Sequence, residues 1–298
     1  CLGSAFSLKE VLSKNLHIDI SVFADGKIKD NEKKIFSPNE LDTKDFNAND
    51  YDLIFMVDTP NANRLGKYGP EVLKHKNIIK LDHHYDNLPP ITKNLYVKED
   101  SASCSELVYA LINELGFEID KTVATYLYAG ITGDTNSFLN TNTTPNSMHV
   151  AVDLFEKGAN VNKVNQLYFK SKTKNQWELM KYIYDKVEFI DNFAFVGVKL
   201  KDLKRFNVSG EGLASFSNEL LYIKDVDFSC IFVEKTLKTF NCSFRSKEGF
   251  CVRDLAEKLG GGGHIAASAC VLSGTYQQVR SKIIKAIKEE ILNGKTNA

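Results

Sequence analysis

Two aspartates in this sequence directly follow short apolar runs. Asp58 closes Leu53-Ile-Phe-Met-Val, and Asp82 closes Ile78-Ile-Lys-Leu and is followed at once by His83-His84. A carboxylate placed there has left the core, and in open α/β sheets sites gather at the carboxyl ends of parallel strands. Adjacent residues on an extended chain point in opposite directions, so one of the two histidines is expected to share a cation with Asp58. The other would face substrate or orient a ligand. Mixed oxygen and nitrogen donors suit manganese, zinc or iron better than calcium. The plain structural alternative for Asp58 is a turn starter before Thr59-Pro60. His17, His75 and His149 lack acidic neighbours at strand ends and read as structural or surface residues.

Two further segments carry chemistry. Gly130-Ile-Thr-Gly-Asp-Thr-Asn-Ser-Phe places Asp134 at the end of a predicted helix, where a preceding glycine lets backbone approach a bound ion or phosphate; a glycine-terminated helix would look similar. Gly260-Gly261-Gly262-Gly263-His264 offers unhindered N–H groups, followed by a candidate helix N-terminus, and so suits a phosphate grip better than a linker. Arg245, at the end of Asn241-Cys-Ser-Phe-Arg, is placed to add a bidentate charge to the same anion.

The elements that must position these residues alternate as in a three-layer α/β domain. Strands are predicted at Ile18 to Phe23, Leu53 to Val57, Ile78 to Leu81 and Leu95 to Val97; helices at Ala5 to Leu16, Glu106 to about Gly116 and Thr122 to about Thr132. From Ser147 to about Lys186 the periodicity is continuously helical, which suggests a connector over 166–186 between an N-terminal domain, 1–165, and a smaller α/β domain, 187–298. In the latter, Asp191-Asn192 can turn a hairpin. Strands then follow at Phe228 to Glu234 and Phe240 to Arg245, and helices at Val252 to Leu259 and Tyr276 to Leu292.

Composition narrows the function. The 298 residues are 43% hydrophobic with 38 basic against 38 acidic side chains, average for a soluble globular protein. A zero net charge gives no electrostatic case for long duplex nucleic acid but leaves a short nucleotide open. No apolar run reaches the length of a membrane span. The six scattered cysteines form no C-x-x-C pair, which argues against a structural zinc site and for free thiols in a reducing cytoplasm.

Asp58 after a strand, Asp82-His83-His84, the Gly-Asp-Thr-Asn-Ser-Phe segment at Asp134 and Gly-Gly-Gly-His at His264 occur in the order found in the DHH phosphoesterase family. Over essentially the whole chain the sequence resembles its short two-domain members with a DHH-associated C-terminal domain, the nanoRNase and phosphoadenosine-phosphate phosphatase type. The resemblance implies two-metal phosphoester hydrolysis with manganese, magnesium being the alternative ion. Asp58, His83 and Asp134 would be ligands, Asp58 bridging. His84 would contact the scissile phosphate or orient a ligand. Arg245, Gly261, Gly262, Gly263 and His264 would hold the far end of a short single-stranded RNA or nucleotide, with a two-domain cleft measuring substrate length. The family's His-x-x-Pro-Asp-x-Asp motif is represented only by its tail, Cys1-Leu2-Gly3-Ser4, so the other ligands are expected immediately before residue 1, and the chain as written would hold an incomplete metal centre. Linear or cyclic dinucleotides remain open as substrates, as do a homodimeric assembly and a nucleotide-binding protein without catalysis.

Overall fold

The computed structural model describes residues 1–294 apart from Lys27, Asp86, Asn87, Glu211 and Glu248. The chain divides into two compact units, Cys1–Ser171 and Lys172–Ala298. Among the described residues no helix is long and apolar enough to cross a membrane.

The first unit runs α1 (Leu2–Leu16), α2 (Asp30–Phe36), β1 (Ile54–Val57), α3 (Gly69–Val72), β2 (Ile78–Asp82), β3 (Asn94–Val97), α4 (Cys104–Glu114), α5 (Lys121–Asp134), α6 (Pro145–Glu156) and α7 (Val161–Phe169). The three strands lie in order β1-β2-β3, all parallel, with Val57 beside Leu81 and Leu81 beside Tyr96. Because side chains alternate across a strand, Phe55, Val57, Ile79 and Leu81 meet the helical cluster of α1, α4 and α5. Met56 and Ile78 meet Val72 of α3 on the other face. A sheet covered on both faces explains the nearly continuous apolar runs of β1 and β2.

Two expectations need correction. Ile18 to Phe23 is not a strand: Ile20 and Val22 pack on the helical cluster, but the Val22 carbonyl accepts from the Asp42 N–H at 2.7 Å, so its backbone bonds to a loop and not to a ladder. Nor is 147–186 continuously helical. It is three helices, α6, α7 and α8 (Lys174–Tyr184), separated by a left-handed turn at Gly158 and by a fresh start at Thr173, whose hydroxyl caps the Gln176 N–H.

The second unit continues with β4 (Glu188–Ile190), β5 (Phe193–Val198), α9 (Leu200–Phe206), α10 (Phe216–Leu220), β6 (Phe228–Thr236), β7 (Thr239–Ser246), α11 (Arg253–Lys258), β8 (Gly262–His264), β9 (Ala267–Ser273) and α12 (Tyr276–Gly294). Its sheet has the order β4-β5-β6-β7-β9-β8. β4 and β5 pair antiparallel around Asp191-Asn192, with Asp191 in the left-handed region that such a turn requires. One face buries Phe193, Phe232, Phe240 and Phe244 under α11 and α12; the other buries Ala194, Val196 and Ile231 under α8, α9 and α10.

The helix that carries Asp134 is placed by close packing. Asp120 Oδ1 caps the Thr122 and Val123 N–H groups at 3.0 Å, which starts α5. A Cβ on Gly130 would lie 2.9 Å from Ser105 Cβ of α4, and one on Gly3 of α1 would lie 2.4 Å from the Tyr126 carbonyl. Gly130→Val should therefore lower stability by about 3 kcal/mol, since overpacking outweighs the few tenths gained in helix propensity. Urea unfolding checks this, and Ser105→Ala in the same chain should recover part of the loss.

Candidate metal centre

β1 and β2 deliver their last residues to one edge of the sheet. The ladder runs one step past β1, with the Asp58 N–H donating to the Leu81 carbonyl at 2.9 Å. Asp58 itself has φ 58°, in the left-handed region, and Asp is among the few non-glycine residues that tolerate it. That twist accompanies a carboxylate that stays largely buried, at 9% side-chain exposure.

His83 is buried beside it. Its Nδ1–H donates to the Ser101 carbonyl at 3.1 Å, because a carbonyl can only accept. In the neutral ring Nε2 therefore carries a lone pair. Yet Nε2 faces Asp58 Oδ1 at 3.3 Å and Asp134 Oδ2 at 4.0 Å, and Asp58 Oδ1 has no hydrogen-bond partner. Three electron-rich atoms converge where something positive is required: a proton on Nε2 or a metal ion. The ligating atoms of Asp58, His83 and Asp134 lie within 4.8 Å of one another, as do those of Asp58, Asp82 and His84. Asp58 is common to both groups, as a bridging carboxylate would be.

The electrostatics follow. Burial works to raise the Asp58 carboxyl, and the hydrogen bond and charge of His83 work against it. Burial also opposes charge on His83, but Asp58 and Asp134 win and raise it. Asp134 keeps 34% of its side chain exposed, yet desolvation by the surrounding protein, helped by Asp58, raises its carboxyl against the attraction of the histidines.

Asp134 is held from behind. Asn140 and Asn142 donate their side-chain amides to its carbonyl at 3.1 and 3.3 Å. Asn136, Ser137 and Phe138 are all left-handed, with φ of 49°, 58° and 64°, a rare run for non-glycine residues. The Ser137 N–H returns to the Thr132 carbonyl and the Phe138 N–H to Thr135 Oγ1. Strain of this kind persists where its surroundings over-determine it.

His84 is oriented by its neighbour, not by the His83 cation position. Its Nδ1–H donates to Asp82 Oδ1 at 2.7 Å, and the same oxygen accepts from the His83 N–H at 2.9 Å. Asp82 is fully buried. Its role as the orienting carboxylate, the Ser101 carbonyl that sets the His83 tautomer and the lysine at position 80 were not read from the sequence. The charge inside the apolar run Ile78-Ile-Lys-Leu was the signal for the last of these.

His17 ends α1 in the left-handed region, His75 bonds the Tyr51 carbonyl, and His149 is exposed on α6. None joins these groups.

In the second unit, Gly260 to His264 does not lead into a helix, which corrects the expected anion site at a helix N-terminus. Gly262 to His264 form edge strand β8 against β9, with His264 beside Ala267, and Ala267 in turn beside Arg245 of β7. Arg245 and His264 thus occupy one row of the sheet, two strands apart, roughly 10 Å between backbones. Much of the glycine requirement is local. A Cβ at Gly261 would sit 2.1 Å from the Ala269 carbonyl, and one at Gly263 would sit 2.6 Å from the Ala267 carbonyl. Gly262 has open space. Arg245 Nη1 donates to the Phe244 carbonyl at 2.8 Å, and burial lowers its pKa.

With that geometry in view, the relatives of the chain are informative. Residues 1–131 match the DHH family N-terminal domain and residues 181–293 the DHHA1 domain. The bifunctional oligoribonuclease and PAP phosphatase NrnA of Bacillus subtilis (strain 168) is 31% identical over 274 residues, 89% of this chain and 83% of that protein. The probable bifunctional oligoribonuclease and PAP phosphatase NrnA of Streptococcus mutans is 29% identical, over 90% of this chain and 84% of its own length. An exopolyphosphatase-related protein from Bacteroides fragilis has the same fold, with a TM-score of 0.87 over 99% of this chain and 89% of its own at 22% identity. Aspartates and a histidine converging at a parallel-sheet edge, two matched domains and a relative alike over most of its length lead to one conclusion: the chain belongs to the DHH family of phosphoesterases.

Proposed function

We propose that the chain hydrolyses phosphoester bonds in short single-stranded oligoribonucleotides, acting from an end, and in 3′-phosphoadenosine 5′-phosphate, with manganese as its ion. The observation that carries the reading is the arrangement of Asp58 Oδ1, His83 Nε2 and Asp134 Oδ2 around one point, with Asp58 Oδ1 buried and lacking a hydrogen bond. The named activities of the Bacillus and Streptococcus relatives support the substrate class. The mixed carboxylate and imidazole donors support manganese. Free cysteines, four of them buried among polar and apolar side chains, suit a reducing cytoplasm.

In this reading Asp58, His83 and Asp134 would hold one divalent ion, and Asp58 with Asp82 and His84 could hold another. Such ions polarise phosphoryl oxygens and lower the pKa of bound water. Ser101 keeps the proton of His83 on Nδ1, so that Nε2 is available as a donor atom. Asp82 does the same for His84 and leaves its Nε2 edge to meet the scissile phosphate or a ligand of the centre. Arg245, Gly261, Gly262, Gly263 and His264 are assigned to the remainder of the substrate; Gly261 and His264 are exposed, and a Cβ at Gly262 would meet open space.

Three measurements test this, on the product of the complete reading frame. Asp58→Ala should abolish manganese-dependent hydrolysis of a 5′-phosphorylated dinucleotide and weaken manganese binding, whereas His149→Ala stays near wild type. Equal loss in the two variants would reject a specific role for Asp58, and melting curves separate that from misfolding.

The second concerns pH. With its carboxyl raised above 3.8 by desolvation, Asp134 binds its proton more tightly in the folded state, so this stabilisation is complete below about pH 3.8 and is lost as pH rises through the raised folded-state value. Above about pH 7 the ionised group is a cost in metal-free protein. Asp134→Asn should accordingly melt higher than wild type there without metal, and the order should reverse in excess manganese. Identical melting at every pH would contradict it.

The third concerns recognition. Arg245→Ala should weaken binding of a phosphorylated dinucleotide about tenfold or more relative to its unphosphorylated counterpart, as expected for a charge-assisted contact of about 1.5–3 kcal/mol. Turnover at saturation should suffer less than affinity. Equal weakening for both ligands would make the segment a structural hairpin.

A further inference from the structure

Lys80 stands in the middle of β2, the central strand of the first sheet, between Met56 of β1 and Leu95 of β3. It is buried to 6% exposure, on the face that also carries Met56 and Ile78. An apolar residue would satisfy that position at no electrostatic cost, whereas a buried ammonium must be matched by fixed oxygens. Among the described residues, two such oxygens come from different strand exits. Lys80 Nζ donates to the carbonyl of Pro60, two residues beyond Asp58, and lies 3.6 Å from Asp82 Oδ2, directly before His83 and His84. Asp82 Oδ1 is already engaged by two donors, and Oδ2 has no hydrogen bond, so the ammonium is the charge that Oδ2 faces.

We infer that Lys80 is a positioning residue for the metal centre: its ammonium ties the turn after β1 to the end of β2 and so fixes Asp58 relative to His83 and His84. The inference rests on the proposed role of those three residues. It accounts for three observations together. Asp58 keeps a left-handed backbone that a loose turn would relax, Asp82 Oδ1 accepts from the His84 Nδ1–H, and the lysine tolerates burial. Lys80 touches neither substrate nor ion and acts through Pro60 and Asp82.

The test is manganese affinity, read by electron paramagnetic resonance of the free ion, together with kcat and KM on a phosphorylated dinucleotide. Lys80→Met, nearly isosteric and uncharged, should raise the manganese Kd and lower kcat by about 10- to 100-fold, the usual effect of removing a group that orients metal ligands. KM at saturating manganese should change less than about threefold, since the substrate-holding residues are untouched. Lys80→Arg, which keeps charge and reach, should restore both to within about threefold of wild type. Wild-type manganese affinity and kcat in folded Lys80→Met would overturn the inference. So would a loss of thermal stability alone. Should Lys80→Met fail to fold, Lys80→Arg decides: wild-type affinity supports the tie, and a tenfold loss rejects it. Failure of the functional reading would look different, because Asp58→Ala would then bind manganese like wild type.

Discussion

The Asp58 carboxylate is buried at the edge of a parallel sheet, and a buried charge has to meet its opposite. Around that requirement the first unit is arranged. His83 turns Nε2 toward Asp58 because Nδ1 is engaged by Ser101, and Asp134 arrives from the end of α5 with its own carboxyl raised by desolvation. A proton can meet the requirement, which is why His83 is raised in the metal-free protein. A divalent ion bound there would meet it better, since it would serve all three atoms at once, and would compete with protons for the same place.

The price of that arrangement is visible in local conformation. Asp58 is left-handed, and three consecutive left-handed residues follow Asp134. Each is held by neighbouring side chains: Asn140 and Asn142 at the Asp134 carbonyl, Thr135 Oγ1 at the Phe138 N–H, Lys80 at the Pro60 carbonyl. The glycines at Gly3 and Gly130 let α1, α4 and α5 approach closely enough for these braces to be rigid. Packing far from the charged atoms thus sets their distances.

In the second unit the glycine run has a different physical origin from the one its composition suggests. Gly261 and Gly263 are small because β8 lies directly against β9, where a side chain would meet carbonyl oxygens. The result is a short edge strand that places His264 and Arg245 in one row of the sheet. Free N–H groups at an edge are an anion-binding resource without a helix.

The local rules were legible in the sequence. Apolar runs ending in Asp58 and Asp82 marked parallel strands, since both faces of that sheet are covered, and Asp191-Asn192 marked a hairpin, since few residue pairs adopt its turn. The grouping of Asp58, His83 and Asp134 could be anticipated because all three end elements that point to one sheet edge. What the sequence could not decide was partnership. Ile18 to Phe23 has strand chemistry, but Val22 bonds to a loop at Asp42. Helical periodicity ran on past Ser147, but it does not say which core a helix joins, and α7 and α8 belong to different units. The tautomer of His83, the raised carboxyl of Asp134 and the contact of Lys80 with the Pro60 carbonyl depend on atoms distant in sequence. Hydrogen bonds and desolvation are set by neighbours in space, and only the tertiary structure chooses those.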